Sequence, residues 1–258
     1  MLNHVSRRRS WLLGAAAALI LLSLIPPAAI YARRYVFAET LQFLVFATAG
    51  PALLVLGAPW PSLRRLRGLT GRLAAGRARP RRGSGFHRAV FVLLVFMGTV
   101  TAWRLPVTVN ALASQPGLAV LEMVTLVGAG SALWLELVES PPLLPHLSRP
   151  QRAAFAALAM WTIWVLGYIL GFSQVAWYTA YGHTAGHGAV ADQEIATALM
   201  WAVPALCFVP VVFVTALTWL KDTEDPDEEL RAIVRAHPRP PRPGRWPRPP
   251  RGWDTHSA

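Results

Sequence analysis

Six apolar stretches of roughly 20 residues each, separated by shorter polar loops, dominate the chain and leave few folds open to it. They run from Trp11 to Ile30, Ala38 to Ala58, Ala89 to Trp103, Gly117 to Val138, Ala153 to Phe172 and Ile195 to Leu220. Stretches of this length match the hydrocarbon thickness of a bilayer, where a segment must satisfy its own backbone hydrogen bonds, so each is expected to be a helix. The sequence therefore predicts an all-α polytopic membrane bundle with about six transmembrane helices. The third stretch is short for a span unless it starts in the preceding loop or continues past Pro106. Composition agrees: 54% of the residues are hydrophobic and 15% charged, less charge than a soluble domain carries.

The distribution of Lys and Arg predicts orientation. All 25 except Arg33, Arg34 and Arg104 lie before the first stretch, in the Pro61–Arg88 loop, between the fourth and fifth stretches, or after the sixth. An N-in, C-in arrangement in the plasma membrane follows, with residues 1–10 as a cytoplasmic N-terminus, 11–220 as the membrane domain and 221–258 as a cytoplasmic tail. Within the tail, Asp222–Arg235 reads as a short surface helix and Pro238–Trp253 as an extended, disordered Pro/Arg-rich segment. The net charge of +12 is assigned to these loops and to anionic headgroups of the lipid bilayer, not to nucleic acid. Trp60, Trp103, Trp177 and Trp219 fall at helix ends, where indole rings favour the interface. Ser6-Arg7-Arg8-Arg9-Ser10-Trp11-Leu12-Leu13 resembles a twin-arginine export signal. No small-x-small cleavage site follows it, so a retained anchor is favoured; cleavage would leave five spans.

Ionisable groups inside spans are costly and mark functional candidates. Glu39 and Gln42 lie in the outer part of the second span, three residues apart on one helix face. Arg104 ends the third span, Glu122 lies one to two turns into the fourth, and Asp192 and Gln193 open the sixth. All six fall at one depth beneath the outer surface, which points to a common polar site. The competing reading is packing: Glu39 or Glu122 paired with Arg104, and Asp192 capping its own helix. Glu136 and Glu139 read as interfacial. His183 and His187 are four apart, but Gly182, Gly186 and Gly188 argue against a helical chelate, so solvated loop histidines compete with a copper-binding pair. Met123 offers a thioether, with core packing as its default role. The single Cys207 excludes an intrachain disulfide and a Cys-based zinc site. No nucleophile elbow, phosphate-cradling glycine loop, haem-attachment motif or nucleotide fingerprint appears, so an enzyme is not expected.

Several segments together resemble the CtaG-type cytochrome c oxidase assembly factors. Glu39-Thr-Leu-Gln-Phe43 followed by Gly50-Pro51-Ala-Leu-Leu-Val-Leu-Gly-Ala-Pro59 is similar to the family's polar-then-Leu-Gly-Ala-Pro segment. Trp103-Arg104-Leu105-Pro106 resembles its Trp-His-x-Pro, and Gln115-Pro116-Gly117-Leu118 leading to Glu122 resembles the start of its next span. Phe172-Ser173, Trp177-Tyr178, Asp192-Gln193 and Met200-Trp201-Ala202-Val203-Pro204 resemble its closing block. The resemblance implies a role in maturing haem–copper oxidases, with a cytochrome c oxidase subunit as partner and copper supply as the usual proposal. It also implies departures: the family typically has histidine at the positions of Glu39, Phe43, Arg104 and Met123. Gln42, Glu122, Asp192 and Gln193 match the family's polar positions.

Three functions stand. The first is an assembly factor working through membrane contacts, without direct metal binding. The second is a copper carrier with altered ligands, among them Glu122, Met123, His183 and His187. The third is a small transporter or permease with Glu39, Arg104 and Glu122 along an outward-facing path.

Overall fold

The computed structural model describes residues 2–57, 84–140, 143, 145–173, 175–181 and 188–223. Apart from one isolated bridge between Ser140 and Leu143, every regular element among them is helical. The order is α1 (Leu2–Leu24), α2 (Ala28–Ala32), α3 (Val36–Leu56), α4 (Ser84–Arg104), α5 (Pro106–Ser114), α6 (Pro116–Leu137), α7 (Arg149–Gly171) and α8 (Ala189–Thr223), with a 3-10 turn at Thr179–Tyr181. Five helices, α3, α4, α6, α7 and α8, are long and apolar enough to cross a membrane, and Arg9–Leu24 is a shorter apolar helix. The expected all-α membrane bundle is therefore the fold observed. Met1–Trp219 forms one compact unit and Leu220–Ala258 a second. The Pro/Arg-rich tail, Trp60, most of the basic loop, His183 and His187 lie outside the described residues.

Prolines set the helix starts. Pro106, Pro116 and Pro150 occupy first-turn positions of α5, α6 and α7, where the missing amide hydrogen has no partner to lose. Leu105 and Gln115 before two of them are extended, as a residue preceding proline prefers. Ser148 and Gln151 close a capping box on α7, with the Ser148 amide donating to Gln151 Oε1 at 3.0 Å. The third span gains its length on the loop side, starting at Ser84. The sixth starts at Ala189, ahead of the apolar run at Ile195, because Asp192 and Gln193 find protein partners inside the helix's first turns.

α3 is the axle of the bundle: 72% of its apolar window is buried, against at most 33% for any other span. It packs against α1 and α6, and α4 lies beside α6 and α7. Midway, Val45–Ala49 winds as a π-turn just before Pro51. Pro51 has no amide hydrogen for the Ala47 carbonyl four residues back, and a wider turn accommodates that loss. Gly130 of α6 faces the same carbonyl; a Cβ there would stand 2.6 Å from Ala47 O and 2.7 Å from Pro51 Cγ. Lipid provides no hydrophobic drive between helices, so such close approaches at small residues carry the packing. α8 is attached by side chains, notably Phe208 stacked on Trp134 at 5.2 Å and 9°.

Candidate functional site

Arg104, the last residue of α4, is 3% exposed and points into the bundle. Its Nη2 donates to Glu39 Oε2 at 2.5 Å and its Nη1 to Thr40 Oγ1 at 3.0 Å. The guanidinium carbon lies 4.6 Å from the centre of the Phe43 ring and 5.6 Å from that of Tyr178. One arginine thus ties α4 to three residues on two adjoining turns of α3, with ion pairing, a hydroxyl and a ring face replacing part of its lost water, while its Nε is buried without a hydrogen-bond partner among the described residues. The segment after α7 closes over it: the Tyr178 hydroxyl donates to the Arg104 carbonyl at 3.0 Å and the Tyr181 hydroxyl to the Val109 carbonyl at 3.2 Å. Burial raises the hydroxyl pKa of both tyrosines above its usual value of 10, which keeps them neutral donors.

Glu122 of α6 faces the other side of Glu39. The two carboxylates and Gln42 line a recess of about 180 Å³, together with Arg33, Leu112 and Pro116. Glu39 Oε1 and Glu122 Oε1 are buried and have no hydrogen-bond partner among the described residues. Gln42 donates to the Ser23 carbonyl at the end of α1, at 3.0 Å. Chemically, the recess presents carboxylate acceptors backed by one fixed cation. It suits a hydrogen-bond donor more than a soft metal ion.

The two remaining polar candidates serve the backbone. Asp192 caps a helix, but not its own as the packing reading has it. Its Oδ2 accepts from the Val36 amide at 2.8 Å and its Oδ1 from the Phe37 amide at 3.0 Å, so it caps α3. Tyr35, the residue at the N-cap position, supplies no side-chain bond there, and the free amides recruit a carboxylate from α8. Gln193 donates to the Leu170 carbonyl at 2.9 Å and accepts from the Trp177 amide at 3.0 Å, fixing the end of α7 and the loop after it. Met123 is half-buried against the apolar core and does not line the recess. Among the described residues no three His, Cys, Asp or Glu side chains are placed to hold a metal ion.

Sequence reasoning missed Thr40, Phe43 and Tyr178 as ligands of Arg104. Thr40 and Phe43 had a signal, since they neighbour Glu39 at helical spacing; Tyr178 had only the Trp177-Tyr178 likeness to the family's closing block. At the opposite end of α6, Glu136 is fully buried, and its Oε2 accepts from the His146 amide at 3.1 Å. Glu139 has its side chain 63% exposed and accepts from Arg152 Nη1 at 3.2 Å.

A family model for the cytochrome c oxidase caa3 assembly factor (Caa3_CtaG) matches residues 3–222, which span α1 through α8. The chain belongs to this family. No curated protein and no solved structure matches it. The Glu39–Arg104 pair, the recess and the Asp192 cap lie within the matched region and at one end of its helices.

Proposed function

We propose that this chain assists assembly of a caa3-type haem–copper cytochrome c oxidase through protein contacts at the Glu39 end of its bundle, without catalysis and without holding copper there. That end faces outward and both termini lie in the cytoplasm, as the Lys and Arg asymmetry favours, which makes it a multi-pass protein of the plasma membrane. The partner is an oxidase subunit. The observation that carries this reading is the ion pair of Glu39 and Arg104, with Phe43 beneath the guanidinium. By resemblance, these are three of the four positions at which family members typically carry histidine. Where imidazoles would cluster, this chain has a fixed cation that repels copper and an aromatic ring with no donor atom.

The experiment is deletion of the gene in its host, with oxidase activity and oxidase-bound copper both measured. Active oxidase is expected to fall and to return with the wild-type gene and with an H183A/H187A variant. It is not expected to return with an E39A/R104A variant that is shown to reach the membrane. Unchanged oxidase after deletion defeats the assembly role. Failure of H183A/H187A to restore copper, with the membrane level of the variant normal, transfers support to direct copper delivery by this chain.

A further inference from the structure

Two clefts flank one aromatic contact along the seam between α7 and α8. The contact is Trp164 stacked on Trp201 at 5.3 Å and 12°, with Trp164 Nε1 donating to the Trp201 carbonyl at 3.0 Å. One cleft, of about 380 Å³, lies toward the Glu39 end among Tyr168, Phe172, Glu194 and Thr197. The other, of about 430 Å³, lies toward the Glu136 end, where Arg149 and Arg152 face Pro210, Val211 and Val214. The clefts share one pair of helices and differ in charge. Glu194 is the charged residue of the first; two arginines and Glu139 line the second.

We propose that the Arg149–Arg152 cleft binds one anionic phospholipid, its phosphate held by the guanidinium groups and an acyl chain laid along Pro210, Val211 and Val214. Both arginines sit in the first turn of a membrane span, so they lie where water meets hydrocarbon whichever way the chain is oriented. Both are positioned. Arg149 Nη1 reaches the Thr218 carbonyl across the seam at 3.4 Å. Arg152 is held by the Leu147 carbonyl through Nε at 3.0 Å and by Glu139 Oε1 through Nη1 at 3.2 Å. Those contacts leave Nη2 of Arg152 as a donor, and guanidinium geometry suits phosphate oxygens. The positive end of the α7 dipole adds to the attraction. Glu139 competes for Arg152, and its exposed side chain can yield that arginine to a stronger anion. The wall opposite is apolar and faces lipid, with Val214 59% exposed. A basic pocket between transmembrane helices at the headgroup level is a recurring site for acidic lipids.

The test uses the full-length protein in neutral detergent, with thermal unfolding followed by tryptophan fluorescence. Phosphatidylglycerol, phosphatidylcholine or inorganic phosphate is titrated in. Phosphatidylglycerol is expected to raise Tm saturably, and native mass spectrometry to find one tightly retained copy. Phosphatidylcholine and inorganic phosphate should leave Tm near its starting value. An R149Q/R152Q variant is expected to bind phosphatidylglycerol at least about tenfold more weakly, the effect of losing one charge-assisted hydrogen bond or more. Should that variant fail to fold, V214W fills the groove with both arginines intact and is expected to abolish the shift, while E139Q is expected to tighten binding. Equal stabilisation by phosphatidylcholine overturns the proposal, as does equal stabilisation by inorganic phosphate alone. An undiminished phosphatidylglycerol shift in folded R149Q/R152Q, or in V214W, also overturns it.

Discussion

Asp192 caps a helix that starts 156 residues before it: its two carboxylate oxygens take the first amides of α3, Val36 and Phe37. α8 thereby fixes the N-terminal end of α3. Replacing a capping carboxylate with alanine costs about 1–2 kcal/mol, with the upper end appropriate where two amides lose a charged acceptor. D192A should therefore lower Tm clearly and D192N by less, since the amide oxygen still accepts one bond. Thermal unfolding in detergent checks this, and an unaltered Tm for D192A would mean the contact is not formed.

The Arg104–Glu39 pair predicts an asymmetric mutant cycle. Removing one partner of a buried pair leaves an uncompensated charge and costs about 3–5 kcal/mol, whereas replacing both with apolar residues is often close to neutral. R104L and E39L should each destabilise strongly, and the double variant should recover most of the loss. A double variant as unstable as the sum of the singles would contradict this pairing.

Gly130 predicts a steric defect. A methyl group there meets the Ala47 carbonyl and Pro51 at distances no relaxed contact tolerates, and both belong to the backbone or ring of α3. G130A should cost about 1–3 kcal/mol, as overpacking does. G128A, two residues away with open space at its Cβ, should be neutral or slightly stabilising. Comparing the two unfolding curves separates helix propensity from contact.

Tyr181 predicts an alkaline limit to stability. Burial raises its folded pKa above the unfolded value near 10, with neighbouring charges contributing in both directions. The folded state then holds its proton after the unfolded chain has released it. The stabilisation is complete below pH 10 and is lost progressively as pH rises above it. Y181F should flatten that decline while costing about 0.5–1.5 kcal/mol at neutral pH for the bond to the Val109 carbonyl. Stability measured from neutral to strongly alkaline pH tests both halves; a Y181F curve parallel to wild type would reject the assignment.

The spans were legible because hydrophobic length is a one-dimensional signal, and the polar residues at one helix end were legible from the same register. Their partners were not. Asp192 reads as a cap in sequence, but which amides it caps depends on α3 and α8 meeting, and no spacing within one helix encodes that. Glu136 reads as interfacial from its distance along α6; its burial and its bond to the His146 amide depend on residues beyond the helix, which no spacing within α6 encodes. The length of α4 was visible only as a deficit, since its first turn lies in a basic segment that hydropathy excludes. The cluster around Arg104 was half visible: Glu39, Thr40 and Phe43 follow one helix face, whereas Tyr178 comes from a loop whose path local sequence does not fix.

α3 shows lipid little of its surface, and its Glu39, Thr40 and Gln42 are all turned toward other helices. Its clamp and its cap both come from later in the chain: α4 brings the guanidinium and α8 the carboxylate. A chain halted before residue 188 would hold its most central helix with the Arg104 pair in reach but with the Val36 and Phe37 amides bare.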